Sequence, residues 1–326
     1  MFKAFLITAF LLAPVIAQAA CTGTNLIDTL PDDDRAELDA GVAAHPYPEG
    51  NVWTAVRAGS EVTVVGTLHL PDPRLPDIMA RIGGRIDAAD LVILEATEET
   101  EQAMYARMST EPRLMFLRDG KSLIDLLGED WPAVAAMAEA RGLPPFLASQ
   151  YQPWLLAITL SIPPCALPAM TSGEEGLDGL IEAAAKARNL PTAALDTPDV
   201  LFDVFAGGTL DEQVEMLRSS IALETAGKDL FHTMKESYFA GRHREIWEFS
   251  RHVSEDWDPV NGATMFDEMD RVLLVQRNQQ WETALPEMLD GRNALIAVGA
   301  AHLSGETGVL SALARMGYTL ERLPGF

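Results

Sequence analysis

The sequence predicts an α/β protein: a mixed, largely parallel central sheet flanked by helices, with a large helical insertion. Three observations predict it. Short apolar runs, VTVVGTLH, LVILEAT, TAALDTP and ALIAVGAAH, each end on a polar residue, as buried strands do when they reach a sheet edge. The first two runs bracket the helix-periodic PDIMARIGGRIDAA, and strand, helix, strand is the crossover unit of parallel strands. Elsewhere, over about 99–190 and 199–290, apolar residues recur three and four apart, which is the helical period.

The elements follow in order. Residues 1–20 read as a secretory signal: one lysine, an apolar stretch interrupted by Pro14, then Ala17-Gln18-Ala19 ahead of the cleavage point. Cys21 raises the rival of a lipidated cysteine, but Gln18, Ala19 and Ala20 lack the aliphatic residue expected three places upstream. The mature chain, 21–326, is expected as a single domain. It opens with a helix whose start carries Asp32, Asp33 and Asp34, and HPYPEG stops it. NVWTAVRAG and EVTVVGTLH are two strands across a Gly-Ser turn, followed by the crossover helix and the strand LVILEAT. Helices punctuated by proline lead to GLDGLIEAAAKARNL and the strand PTAALDTP. Then come EQVEMLRSSIALE, DLFHTMKESYFAG and one long helix, ATMFDEMDRVLLVQRNQQWETALPEML. A terminal strand, helix and strand complete the chain.

Composition restricts function. Lys plus Arg number 24 and Asp plus Glu 48, a formal charge of −24, and removing Lys3 with the signal makes it −25. Such a surface repels nucleic acid and anionic membranes. No later segment offers eighteen uninterrupted apolar residues, so stable membrane insertion is not expected and the address is periplasmic or extracellular. Two cysteines exclude a cysteine-based zinc site. In an exported protein Cys21 and Cys165 are expected to form a disulfide, the alternative being two unpaired thiols with Cys165 buried.

Chemistry collects at the strand ends. The four runs carry His69, Glu95, Asp196 and His302, and C-terminal ends of parallel strands share the edge where ligands bind. Two imidazoles and a carboxylate make a common catalytic metal set, and a metal there lowers the pKa of a bound water and polarises a carbonyl. Each histidine follows a glycine, Gly66 or Gly299, which permits a tight turn and close backbone approach. Each residue also has a plain structural reading. Asp196 ahead of Thr197-Pro198 reads as a helix cap in preference to a ligand, and Glu95 as a helix cap or a solvated carboxylate. Arg277 and Asn278 sit inside an apolar-periodic helix and need partners or water. Tyr151 and Gln152 in YQPWLL have ordinary core packing as their alternative. His45, His232, His243 and His252 look like surface.

Taken together, VGTLHLPD, LVILEAT, YQPWLLAITL, RNQQW and AVGAAHLSGETGVLSALARMGY resemble the TraB/GumN family of bacterial proteins, related to the Tiki metalloproteases, over roughly residues 50–323. The wider likeness reaches erythromycin esterase and the haem-binding ChaN proteins, which share the α/β fold but no single chemistry. By matching motif, the resemblance implies His69, Glu95 and His302 as ligands of a divalent Mn, Co or Zn ion in an exported peptidase- or amidase-like hydrolase acting on a peptide or small molecule. Glu95 then serves as ligand in preference to general base. Arg277 stabilises an oxyanion or orients a carboxylate, and Asp196, Asn278, Gln152 and Tyr151 stand behind the ligands. The alternative is a non-catalytic binder of haem, metal or a cell-envelope component, with the two histidines as ligands.

Overall fold

The computed structural model of the chain describes residues 21–325, so the signal read in residues 1–20 falls outside them. In chain order its main elements are α1 (Asp32–Ala43), β1 (Val52–Arg57), β2 (Ser60–Thr67), α2 (Leu75–Asp87), β3 (Leu91–Leu94), α3 (Leu177–Ala187), β4 (Thr192–Ala194), α4 (Gly227–Phe239), α5 (His243–Trp257), α6 (Gln276–Leu289), β5 (Ala294–Gly299), α7 (Val309–Arg315) and β6 (Thr319–Arg322). Further helices fill the stretches between β3 and α3 and between β4 and α4.

The six strands form one sheet in the order β4-β3-β5-β2-β1-β6. β4, β3, β5 and β2 are mutually parallel, and β1 runs antiparallel to both its neighbours. The crossover unit thus joins parallel strands, as its sequence predicts, but they are not neighbours: β5, from the far end of the chain, lies between β2 and β3. All six residues of β5 are buried, which explains its unbroken apolar sequence. Alternate side chains face two layers. Val64, Ile93, Ile296 and Val298 pack against Trp281, Leu285 and Leu289 of α6 and Leu310 and Leu313 of α7. Val65, Val92, Leu94 and Leu295 pack against Ile82 and Ile86 of α2 and Leu177, Ile181 and Ala185 of α3. Burial of each large aliphatic side chain contributes about 1.5–3 kcal/mol relative to exposure, so these layers hold the sheet flat against α3 and α6, the two helices that border the site.

Several local details refine the expectations. The β1–β2 connection is Ala58-Gly59, with φ of 50° and 91°, and Ser60 already belongs to β2. Two positive φ values are what a two-residue hairpin of right-handed twist requires, and Gly59 meets that at no steric cost. The long helix expected over residues 263–289 is interrupted by a π turn at Arg271–Val275, directly before α6. Its wider coil rotates everything after it, so that Arg277, Asn278 and Trp281 turn toward the sheet. Leu123, Val134 and Leu156, from the helices between β3 and α3, build a separate apolar cluster with Leu217 of the helix Leu210–Leu223, which follows β4. No single helix among the described residues is long and apolar enough to cross a membrane. Two helices joined by a sharp bend, Pro153–Ser161 and Pro164–Met170, reach that length and apolar content only together.

Cys21 and Cys165 form a disulfide across 144 residues. It fixes an N-terminal segment that also bonds α4, where the Leu26 N–H donates to Thr233 Oγ1 at 2.9 Å. One histidine contradicts its surface reading. His243 is 1% exposed because it starts α5 against the 45–50 loop, with Nε2 3.2 Å from the Tyr47 carbonyl and Nδ1 without a partner.

Two outcomes follow from this packing. Replacing Cys21 and Cys165 with serine should destabilise the protein by about 3–5 kcal/mol, since a long covalent loop is opened, and denaturant titration measures it. Burial pushes the His243 imidazole down from 6.5 to about 4. Unfolded chains therefore take up a proton as pH falls below about 6.5 that the folded protein refuses until about 4, and stability declines across that interval. A His243→Gln protein should lose up to about 3 kcal/mol less over the same range, read as midpoint against pH.

Candidate functional site

The four parallel strands end along one edge, and their registers align those ends. Thr67 of β2 pairs with Gly299 of β5, and Leu94 of β3 pairs with Ala297 of β5 and Ala194 of β4. Backbone bonds continue one step further: the Asp196 N–H donates to the Glu95 carbonyl at 2.9 Å and the Glu95 N–H to Ala297 at 3.2 Å. His69, Glu95, Asp196 and His302 are thereby delivered to one place.

Each imidazole is gripped through Nδ1 from a different layer. His302 Nδ1 lies 2.7 Å from Asn278 Oδ1 of α6; an amide oxygen only accepts, so the proton sits on Nδ1 and Nε2 keeps its lone pair. His69 Nδ1 stands 3.2 Å from Asp178 Oδ1 in the first turn of α3, an ion-pair contact too oblique for a hydrogen bond. Both Nε2 atoms then face one carboxylate oxygen, Glu95 Oε2, at 3.6 Å from His69 and 3.9 Å from His302. That oxygen also accepts the Gly299 N–H at 3.0 Å.

The two glycines make room for each other's strings. A Cβ on Gly66 would lie 2.7 Å from Leu303 Cδ1 and 3.1 Å from Ala300, whereas one on Gly299 would lie 2.9 Å from His69 Nε2 and 3.3 Å from Glu95 Oε2. Neither glycine has a positive φ. A 3-10 turn, Ala300–His302, does follow Gly299, but neither glycine is needed for a left-handed backbone, and close approach is the reason for both.

Arg277 closes the centre from α6. Its Nη2 donates to Glu95 Oε1 and to Asp196 Oδ2, Nε to Asp196 Oδ1 at 3.4 Å, and Nη1 to the Leu273 carbonyl at 3.2 Å and to His302 Nε2 at 3.1 Å. All five guanidinium hydrogens are committed. Asp196 is no helix cap: it also accepts from Trp281 Nε1 at 2.8 Å, and the Trp281 ring lies 4.4 Å from that of His302.

Electrostatics follow from this arrangement. Burial alone would raise the Glu95 carboxyl, but the facing imidazoles and Arg277 hold it well below the usual carboxylate range. Burial pushes His302 down to about 3 against the pull of Glu95, so it is neutral. For the half-exposed His69, burial acts downward too, but Asp178 and Glu95 outweigh it and the net shift is upward.

Of the residues read from the sequence, His69, Glu95, Asp196, Arg277, Asn278 and His302 meet here. Tyr151 and Gln152 do not join them. Tyr151 packs edge-on against Phe116, and Gln152 Nε2 donates to the Arg113 carbonyl at 2.9 Å within the helical insertion. Sequence reasoning missed Asp178, an acid in a helix's first turn like many others. It also missed Trp281, whose spacing of four from Arg277 was a usable signal, and Asp72. Three residues past the strand string, Asp72 accepts from Arg74 Nε at 2.8 Å and pins the loop after His69.

The donors suit a divalent ion in chemistry: two imidazoles with Nε2 directed inward, each held at Nδ1, and an ionised carboxylate between them. Among the described residues no three His, Cys, Asp or Glu groups stand ready to hold an ion, and Arg277 engages the lone pair of His302 Nε2.

Removing Asp196 leaves Arg277 and the Trp281 N–H short of a buried acceptor, so Asp196→Ala should cost about 3–5 kcal/mol in a denaturation experiment. His69→Ala should cost under about 1 kcal/mol, since its side chain is half exposed.

None of the curated proteins matches the chain. A family model described as the TraB/PrgY/gumN family matches residues 51–322, a span that contains all six strands and every member of the cluster, and the chain belongs to that family.

Proposed function

We propose that the protein is an exported metal-dependent hydrolase acting on a peptide or amide bond. The observation that carries this reading is the opposed pair of imidazoles, each pinned at Nδ1 from a different layer and each turning Nε2 toward Glu95 Oε2. A merely structural histidine needs no such presentation. His69, Glu95 and His302 are the ligands proposed for a divalent Mn, Co or Zn ion, which when bound would supply Lewis acidity toward a carbonyl and acidify a water. The chain's own groups do the rest. Asn278 keeps the His302 proton on Nδ1, Asp178 orients His69, and the Gly299 N–H holds Glu95 in place. Gly299, having no Cβ, lets His69 Nε2 and Glu95 Oε2 come together. Arg277 supplies the positive charge that a developing oxyanion requires. The disulfide supports an oxidising compartment, in agreement with the signal read at residues 1–20.

The test uses untagged protein, metal analysis and hydrolysis of a peptide library with Mn, Co or Zn. His69→Ala, Glu95→Gln and His302→Ala should each lose bound metal and at least about a hundredfold in activity, and the double histidine variant should lose little more, because ligands of one ion act as a unit. Metal binding without turnover on any substrate would make the protein a binder, and full activity in the single variants would overturn the metal reading.

A further inference from the structure

We infer that Arg277 and the metal ion compete for His302 Nε2, so that loading the ion releases one arginine N–H into the cleft. The inference rests on the hydrolase reading and concerns how its site is armed. Arg277 has five donor hydrogens and five partners, which leaves none for a substrate oxygen. An arginine so saturated offers an oxyanion its charge but no hydrogen bond.

The five contacts are not equivalent. Four of them, to Glu95, to the two oxygens of Asp196 and to the Leu273 carbonyl, go to groups that remain acceptors whether or not an ion is present. The fifth goes to His302 Nε2 at 3.1 Å, and that nitrogen has one lone pair. Asn278 fixes the opposite nitrogen as the protonated one, so the ring cannot offer Nδ1 instead. An ion ligated by His302 must take this lone pair, and the Arg277 hydrogen on it then has no acceptor in the protein.

The guanidinium need not leave with it. Nη1 keeps the Leu273 carbonyl, inside the π turn, and Nη2 and Nε keep the carboxylates. What changes is a single N–H, freed beside Glu95 and His302 where an oxyanion would form. Ion-free protein is thus closed by its own cation, and the same event that loads the ion supplies the donor.

Isothermal titration with Zn²⁺ tests this on the mature protein, comparing wild type, Arg277→Lys, Arg277→Met and His302→Ala. Lysine retains the charge but not the fork, so competition predicts Zn²⁺ affinity about tenfold higher in Arg277→Lys, the worth of one charge-assisted hydrogen bond. A rise confined to Arg277→Met would mean that only the field of the arginine matters, and unchanged or weaker binding in Arg277→Lys would overturn competition as well. In both cases binding lost in His302→Ala leaves the metal site standing; no Zn²⁺ binding by any protein removes the metal reading and this inference together. Should the variants fail to fold, wild-type protein decides. NMR of its arginine side chains should show one protected Arg277 N–H begin to exchange with water when Zn²⁺ is added, and unchanged protection refutes the release.

Discussion

The pairing of Arg277 with Glu95 and Asp196 is the interaction on which the rest of this edge depends. Two carboxylates stand at the ends of adjacent strands, joined by a backbone hydrogen bond and largely removed from water. Without a cation between them they would repel one another and lose hydration, and one would take up a proton. A single guanidinium answers both, and its planar fork reaches both oxygens of Asp196 while holding Glu95. Because Arg277 belongs to α6, the pairing also locks that helix to the sheet, which brings Asn278 and Trp281 onto His302. The charge pair therefore sets the tautomer of an imidazole that the arginine's own helix supports.

A second constraint is steric and reciprocal. Gly66 is small because the second histidine string passes over it, and Gly299 is small because the first histidine reaches over it. A side chain at either position would push the other strand's loop outward. The two glycines thus let the loops after β2 and β5 pass close to each other, so that groups from both address one oxygen of Glu95.

Much of this was legible in the sequence, for reasons that differ by residue. β5 was readable because burial on both faces demands an unbroken apolar run, and His69, Glu95 and His302 were readable because parallel strands align their polar ends. Three features were not. Asp196 looked like a cap, since Asp before Thr-Pro has that local preference, yet a tertiary partner eighty-one residues away decided its role. His243 looked like surface because its neighbours in sequence are charged, whereas Arg244, Glu245 and Glu248 are themselves buried in mutual ion pairs and bonds. The π turn before Arg277 leaves no mark in an apolar helical period, although it determines which way the arginine faces. Tyr151 and Gln152 misled for the opposite reason: a distinctive string can be distinctive for its own local packing.

The sheet order has a temporal side. β2 and β3 are synthesised early, but the strand that belongs between them is completed only some 200 residues later, after nearly all of the insertion has been made. Until then the inner edges of both strands lack their partner, and His69 and Glu95 belong to separate, unjoined halves. A chain interrupted anywhere before residue 294 lacks both β5 and His302, so it can hold neither the closed sheet nor the complete cluster. The chemistry is withheld until the chain is almost finished.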